Sequence, residues 1–158
     1  HDRFIDVAKL FAQVTELQFD RGATLRALLD VMIDDQRIAA VAANYAVRVA
    51  GIAHSGKKRA RQTAEIFAAA LSPKKGVDVQ AGMNPLDDVR SFAERLPLDQ
   101  NIMLVGHLPF MEKLTAYLTT GSAEKPVFKF QNSGIVCLGK YPTTPFWVIK
   151  WTLMPNIG

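Results

Sequence analysis

The stretch from Val49 to Leu71 changes from a strand pattern to a helix pattern across one short turn. Residues 47–53 have the length of a strand, with Val49, Gly51 and Ile52 in a short apolar run, and Ser55 and Gly56 can turn the chain. The apolar side chains that follow recur at helical spacing, at Ala60, Ala64, Phe67 and Leu71. The pattern predicts a strand followed by a helix, and we expect Ser55 near the helix N-cap because its hydroxyl can accept from the first helical N–H groups.

Four cations crowd the start of this helix: Lys57, Lys58, Arg59 and Arg61. A helix N-terminus already carries partial positive charge, so each exposed cation there costs about 0.3 to 1 kcal/mol. A bound anion would remove the conflict, because the free N–H groups of a helix start bind phosphate and arginine matches phosphate oxygens in pairs. A solvated basic face explains Lys57, Lys58 and Arg61 as well, so Arg59 is the residue that we assign to anion binding.

A second strand-to-helix switch follows residues 101–105, a nearly continuous apolar run typical of a strand covered on both faces. Gly106 and His107 come directly after this run, and Pro109 suits the first turn of a helix that ends at Gly121. The glycine lets the backbone approach a neighbour closely. A lone histidine after a strand is often a hydrogen-bonded packing residue, and that reading of His107 stays open beside a functional one.

The two switches lead to the same expected site. Ligands of open α/β sheets bind outside the carboxyl ends of the strands. One pocket should therefore receive Arg59 and His107 together. His54, at the end of the first of these strands, is interpreted as a wall or structural residue.

The N-terminal third is predicted to begin with an amphipathic helix over residues 4–14 and a short strand over Val14–Phe19. Asp20, Arg21 and Gly22 are predicted to turn the chain into a helix over 24–46, broken near Asp34 and Asp35. The apolar face assigned to the first half of that helix consists of Leu25, Leu28, Leu29, Met32 and Ile33. The second half continues with Ile38, Val41, Ala42 and Tyr45.

The rest of the chain adds short elements around these units. Residues 77–79 indicate a strand, and Asp87 or Asp88 begins a helix that Pro97 ends. Two or three antiparallel or edge strands are predicted within residues 127–130, 135–138 and 146–151. Strands that alternate with helices indicate an α/β three-layer sandwich, with a mostly parallel sheet and helices on both faces.

Composition bounds the function class. At 158 residues and 49% apolar, the sequence fits one domain, residues 1–158, with a sizeable core. Cys137 stands alone in an apolar run, which suits a buried thiol in the reducing cytoplasm. No apolar stretch reaches the roughly 18 residues of a membrane span. A net charge of +4 favours anionic partners. The dispersed basic residues, without an aromatic run, argue against nucleic acid.

Several motifs together resemble one protein family. Residues 54–67, HSGKKRARQTAEIF, resemble the strand-loop-helix motif of the histidine phosphatase superfamily, and residues 105–109, VGHLP, resemble its second histidine motif. The segments MNPLDDV at 83–89 and FKFQNSGIVCL at 128–138 are similar to those of the small bacterial phosphohistidine phosphatases. The resemblance extends from about residue 47 to the C-terminus.

The resemblance implies a phosphoglycerate-mutase-like fold and a phosphatase that needs neither metal nor cofactor. A histidine of such enzymes accepts the phosphoryl group, and water then releases phosphate. Carried over by position, Arg59 is a phosphate-pocket arginine and His107 the second pocket histidine. Asp87 or Asp88 is either a general acid or a helix-capping or solvated carboxylate. The further candidates for the substrate site are Arg21, His54, Ser55 and Gly106. The implied partner is a phosphorylated protein or a small phosphorylated substrate, not a membrane or nucleic acid.

One motif of the family is absent. Its nucleophile lies in Arg-His-Gly after the first strand, and residues 2–53 contain no histidine. The nearest local likeness is Asp20-Arg21-Gly22, and an arginine can hold phosphate but cannot attack it. Three accounts stay open, in this order: a phosphatase with an unusual N-terminal sequence, an inactive relative that binds phosphate, or an enzyme that uses His54 or His107 as nucleophile.

Overall fold

The computed structural model describes residues 8–13, 21–140 and 142–157, without the side chains of residues 8, 9, 13, 21–24 and 27. Within these ranges the chain forms six strands and four helices. The strands are β1 (Ala8–Gln13), β2 (Gly51–His54), β3 (Val77–Val79), β4 (Ile102–Gly106), β5 (Ile135–Lys140) and β6 (Trp147–Leu153). The helices are α1 (Arg21–Asn44), α2 (Lys58–Leu71), α3 (Val89–Glu94) and α4 (Phe110–Thr120).

All six strands form one sheet in the order β3-β2-β4-β1-β5-β6. The first four strands in that order run parallel to one another, whereas β5 runs antiparallel to β1 and β6 antiparallel to β5. The carboxyl ends of β2, β4 and β1 therefore lie at one edge of the sheet. The start of β5 lies there too, because Ile135 pairs with Ala12 near the end of β1.

The helices cover the sheet on both faces. On one face α1 and α2 bury Ile38, Ala42, Ala64 and Phe67 against the sheet. On the other face α3 and α4 form a second core around Phe92, Phe110 and Leu114. The predicted three-layer α/β sandwich with a mostly parallel sheet is confirmed. None of the helices in the described ranges combines the length and apolar character that a membrane crossing requires.

The first element differs from the prediction. Residues 8–13 form a central strand rather than the helix predicted over 4–14. Leu10, Phe11 and Ala12 are all at most 1% exposed, because a strand inside the sheet is covered on both faces. Three consecutive apolar residues also fit one side of a helix, so the pattern was ambiguous. The predicted strand Val14–Phe19 lies outside the described residues.

Helix α1 starts earlier than predicted and is unbroken at Asp34 and Asp35. Arg21 and Gly22 belong to its first turn rather than to a turn before it. The buried face predicted for its first half is wrong, since Leu25, Leu29 and Ile33 are more than half exposed. In the second half the predicted Ile38 and Ala42 are buried, whereas Tyr45 is exposed. The other buried side chains described on this helix are Val31, Asp35 and Ala39.

Most later elements match the prediction closely. Helices α2 and α4 end at residues in the left-handed region, Ser72 and Gly121, and Gly121 is the predicted C-cap. Strand β3 has the predicted bounds. Residues 127–130 form no strand, so the C-terminal part contributes two antiparallel strands, β5 and β6. A register shift at Cys137 and Leu138 lets β6 place Trp147 in one core and Trp151 against the other.

Candidate functional site

The candidate site begins where β2 and β4 end side by side. His54 pairs with Val105 across the parallel register, so the residues that follow both strands emerge at the same edge. Ser55 Oγ and His107 Nε2 share a hydrogen bond of 2.6 Å. The structure thus brings together the two predicted segments, 55–59 and 106–107. His107 itself is 3% exposed.

Arg59 lies in the first turn of α2 and is buried, with 6% of its surface exposed. Its Nη1 donates to Gln62 Oε1 at 2.8 Å. Among the described residues, its Nε and Nη2 have no hydrogen-bond partner. A buried guanidinium with unsatisfied donors is costly unless an acceptor, and above all an anion, meets it. The two nitrogens of Arg59 without a partner can therefore donate to an anionic group.

The other cations of the α2 start are placed differently. Lys58 and Arg61 are exposed, and Arg61 lies 3.7 Å from Glu65 one turn further along the helix. Lys57 is the N-cap residue, without a side-chain cap. Ser55 lies two residues before this N-cap, and its hydroxyl accepts from the backbone N–H of Lys57 at 3.4 Å. The solvated-face reading thus fits Lys58 and Arg61, whereas Arg59 stands apart from them.

His54 is buried and serves the turn after β2. Its Nδ1 accepts from the backbone N–H of Gly56 at 3.0 Å, where Gly56 adopts a φ of 90°. Burial lowers the pKa of His54 from 6.5, and the positive charge of Arg61 lowers it further. The neutral imidazole is the form that can accept this hydrogen bond. This geometry fits the structural role expected for His54.

Gly106 packs against two methionines. A Cβ at this position would lie 2.7 Å from Met111 Sδ and 3.3 Å from Met83 Cε. The expected close approach to the backbone is therefore made by protein side chains. Met83 also brings the start of the 83–89 loop beside the end of β4. Arg21, the remaining N-terminal candidate, begins α1, and its side chain lies outside the described part of the chain.

The two adjacent aspartates shape the entry to α3. Asp88 is the N-cap residue and accepts from the backbone N–H groups of Arg90 and Ser91. Asp87 Oδ2 accepts from the backbone N–H of Asn84 at 2.8 Å. The Ser91 hydroxyl, followed by the Arg90 N–H, holds the pKa of Asp88 below 3.8. A carboxylate of this kind is ionised at neutral pH and fits the capping role better than that of a general acid.

A buried polar cluster beside Arg59 was not predicted from the sequence. Thr63 donates to Asp35 Oδ2 at 2.5 Å, and both residues are 0% exposed. Ser133, just before β5, is also fully buried and hydrogen-bonds the same carboxyl group. Burial raises the pKa of Asp35, although both hydroxyls and the charge of Arg59 oppose the shift. The sequence contained one signal for the burial of Asp35 alone: helical spacing places it on the same face of α1 as Val31, Ile38 and Ala42.

No metal centre is indicated within the described ranges, where no three His, Cys, Asp or Glu side chains are grouped closely enough to hold an ion. Cys137 is buried in β5 and, as the one cysteine of the sequence, forms no disulfide within the chain. The described chemistry of the site consists of a guanidinium, an imidazole and a hydroxyl. These groups can bind an anion and stabilise developing negative charge.

Solved structures of proteins named SixA share this fold. SixA from Agrobacterium tumefaciens has a TM-score of 0.67 at 20% identity, covering 94% of this chain and 98% of its own. The protein histidine phosphatase SixA complexed with tungstate has a TM-score of 0.68 at 17% identity, covering 94% and 97%. SixA from Nakamurella multipartitia has a TM-score of 0.57 at 14% identity, covering 95% and 98%.

At these identities the similarity concerns the fold. The fold class expected from the sequence is confirmed. No protein-family model and no curated protein sequence matches the chain.

Proposed function

We propose that this protein is a phosphatase whose phosphate site contains Arg59 and His107. The observation that carries the proposal is the buried guanidinium of Arg59, whose Nε and Nη2 find no acceptor among the described residues. Two N–H groups on one planar side chain match two phosphate oxygens. The hydrogen bond between Ser55 and His107 supports a common site for the imidazole and the guanidinium.

The proposed roles of Arg59 and His107 follow from where negative charge develops on the phosphoryl group during its transfer. In phosphoryl transfer, negative charge spreads over the equatorial oxygens of the phosphoryl group, and catalysis depends on positioning and electrostatic stabilisation. Arg59 and His107 donate hydrogen bonds to those oxygens. The nucleophile forms its bond to phosphorus as the bond to the leaving group breaks, and water then releases inorganic phosphate. The segment that follows β1, residues 14–20, lies outside the described residues.

The substrate we propose is a phosphohistidine side chain of a protein, or else a small phosphomonoester. The fold shared with SixA proteins supports this choice, since one of them is named a protein histidine phosphatase and binds tungstate, a tetrahedral anion like phosphate. The positive net charge of +4 also favours a phosphorylated partner.

Turnover of a phosphohistidine protein tests this function. We expect the wild-type protein to release inorganic phosphate and the Arg59→Ala and His107→Ala proteins to lose release by a factor of about 100 or more. Arg61→Ala is the matched control, because Arg61 lies on the same helix but is exposed beside Glu65. Circular dichroism verifies folding. Release that is unchanged in Arg59→Ala and His107→Ala would remove both residues from the mechanism.

A second candidate function is phosphate or phosphoprotein binding without turnover. The sequence favours it by one specific feature, the absence of any histidine from residues 2–53, where the nucleophile of the superfamily lies. The two described histidines are already engaged, His54 with Gly56 and His107 with Ser55. Tungstate binding by the wild-type protein, with no phosphate release from a panel of phosphoproteins and phosphomonoesters, would select this function over catalysis.

A further inference from the structure

A buried carboxylate joins three elements directly behind the start of α2. Asp35 on α1 accepts from Thr63 on α2 and is hydrogen-bonded by Ser133 in the turn before β5. The Ser133 hydroxyl oxygen also lies 3.4 Å from the carbonyl oxygen of Val31, and Ser133 adopts a φ of 68°. All three polar side chains are fully buried. Three separate parts of the chain are therefore fixed to one group.

This cluster lies one helical turn from Arg59. Thr63 follows Arg59 by four residues, so the two side chains share a face of α2 and are separated by about 6 Å along its axis. The charge of Arg59 also acts on Asp35. Asp35 Oδ1 and two nitrogens of Arg59 are the buried side-chain polar atoms that lack a hydrogen-bond partner among the described residues.

A purely structural role explains this arrangement poorly. A carboxylate buried in an apolar layer is costly, and an apolar residue of similar size would pack there without that cost. A carboxylate differs from an apolar side chain in that its hydrogen bonds are directional. The hydrogen bonds of Asp35 with Thr63 and Ser133 therefore favour one rotation of α2 about its axis and one position of α2 along that axis, relative to α1 and β5. That register determines where the guanidinium one turn earlier points.

Building on the proposed function, we propose that Asp35 is a positioning residue for Arg59: through Thr63 it holds the first turns of α2 so that the guanidinium faces the bound phosphoryl group. Asp35 does not touch the substrate in this proposal. Its effect passes through the helix backbone, and displacements of about 1 Å are enough to weaken a directional pair of hydrogen bonds severely.

Binding of inorganic phosphate, followed by isothermal titration calorimetry, tests this proposal without requiring turnover. Thr63→Val removes the hydroxyl while keeping the shape, and we expect its phosphate affinity to fall about tenfold. Thr63→Ser keeps the donor and should restore affinity to within about twofold of the wild type. Thr115→Val is the matched control, because Thr115 is also fully buried but donates within its own helix, to the Met111 carbonyl.

Ser133→Ala removes the second hydroxyl and keeps the test independent of whether Thr63→Val folds. We expect it to weaken phosphate binding about threefold. Wild-type affinity in folded Thr63→Val and Ser133→Ala proteins would overturn the positioning role and leave the proposed function standing. An equal loss in Thr115→Val would overturn it too, because the effect would then be general. A wild-type protein that does not bind phosphate would overturn both the positioning role and the proposed function.

Discussion

A single hydroxyl connects the two segments of the candidate site. Ser55 Oγ reaches His107 Nε2 and also accepts from the backbone N–H of Lys57 at the start of α2. The imidazole is therefore oriented by a residue of the loop that leads into the Arg59 turn. At the scale of residues, Ser55 thus links His107 to the start of the helix that carries Arg59.

Replacing Ser55 with alanine should weaken the site without unfolding the protein. A hydrogen bond of this kind contributes about 0.5 to 1.5 kcal/mol, so we expect phosphate affinity and phosphate release to fall about two- to tenfold. Ser122→Ala is the control, since its hydroxyl accepts from the backbone N–H of Glu124, beyond the end of α4. Calorimetry with phosphate measures the effect. Equal affinities for Ser55→Ala and wild type would mean that His107 is oriented by other contacts.

His54 makes the stability of the protein depend on pH in a defined direction. Its pKa in the folded state is lowered from 6.5, chiefly by burial, so the folded protein resists protonation there. As pH falls through 6.5 the unfolded chain takes up a proton at this residue before the folded protein does. The stability contributed by neutral His54 is therefore complete above 6.5 and is lost as pH falls towards the lowered value.

His54→Asn should remove this component, because asparagine can accept from the Gly56 N–H but does not titrate. Urea unfolding at about pH 7.5 and about pH 5 compares the two proteins on either side of the ordinary histidine pKa. We expect the wild-type protein to lose more free energy of unfolding between these values than His54→Asn does. Equal losses would show that His54 does not govern the acid side of the stability curve.

At the scale of elements, α1 carries several apolar residues on its exposed side, so apolar spacing alone does not identify its buried face. Leu25, Leu29 and Ile33 recur every four residues but are exposed, whereas Ile38 is 3% exposed and packs against the sheet. The observed buried face includes Asp35, which is 0% exposed. A prediction that counts only apolar residues does not select this face, because an acidic residue lies in it.

Two isoleucines on α1 give a matched test of that face. Ile38→Ala should cost about 2 to 5 kcal/mol, because it removes buried methyl groups and leaves a cavity. Ile33→Ala makes the same chemical change at a side chain that is 55% exposed and should cost less than about 0.5 kcal/mol. Urea unfolding of both variants measures the difference. Similar costs would contradict the orientation of α1.

The elements that the sequence predicted well are those with a clear boundary signal. The βα units around Arg59 and His107 have an apolar strand, a turn and a helical period in order, and both units are present in the structure. Strand β1 lacked such a signal, since Leu10, Phe11 and Ala12 are consecutive and apolar. The cluster of Asp35, Thr63 and Ser133 was not predictable from local pattern, because its members are distant in sequence and each is an ordinary helix or turn residue alone.

At the scale of the whole molecule, one sheet serves two cores. Along β1, Leu10 enters the core beneath α1 and α2, and its neighbour Phe11 enters the core beneath α3 and α4. Strand β5 alternates in the same way, with Ile135 in the first core and Val136 in the second. Because neither core has a sheet of its own, loss of the sheet removes the support of both.

Unfolding should therefore be a single cooperative transition, as the single-domain interpretation of the sequence requires. The two tryptophans report the two cores separately: Trp147 is buried in the α3–α4 core, and Trp151 packs against the α1–α2 core. Trp151→Phe and Trp147→Phe each leave one reporter. Far-ultraviolet circular dichroism measures the loss of secondary structure in each variant. In each of the two variants we expect the fluorescence transition to have the same midpoint as the dichroism transition. A fluorescence transition that precedes the dichroism transition in one variant alone would mean that its core opens independently, and the molecule would then consist of two folding units that share one sheet.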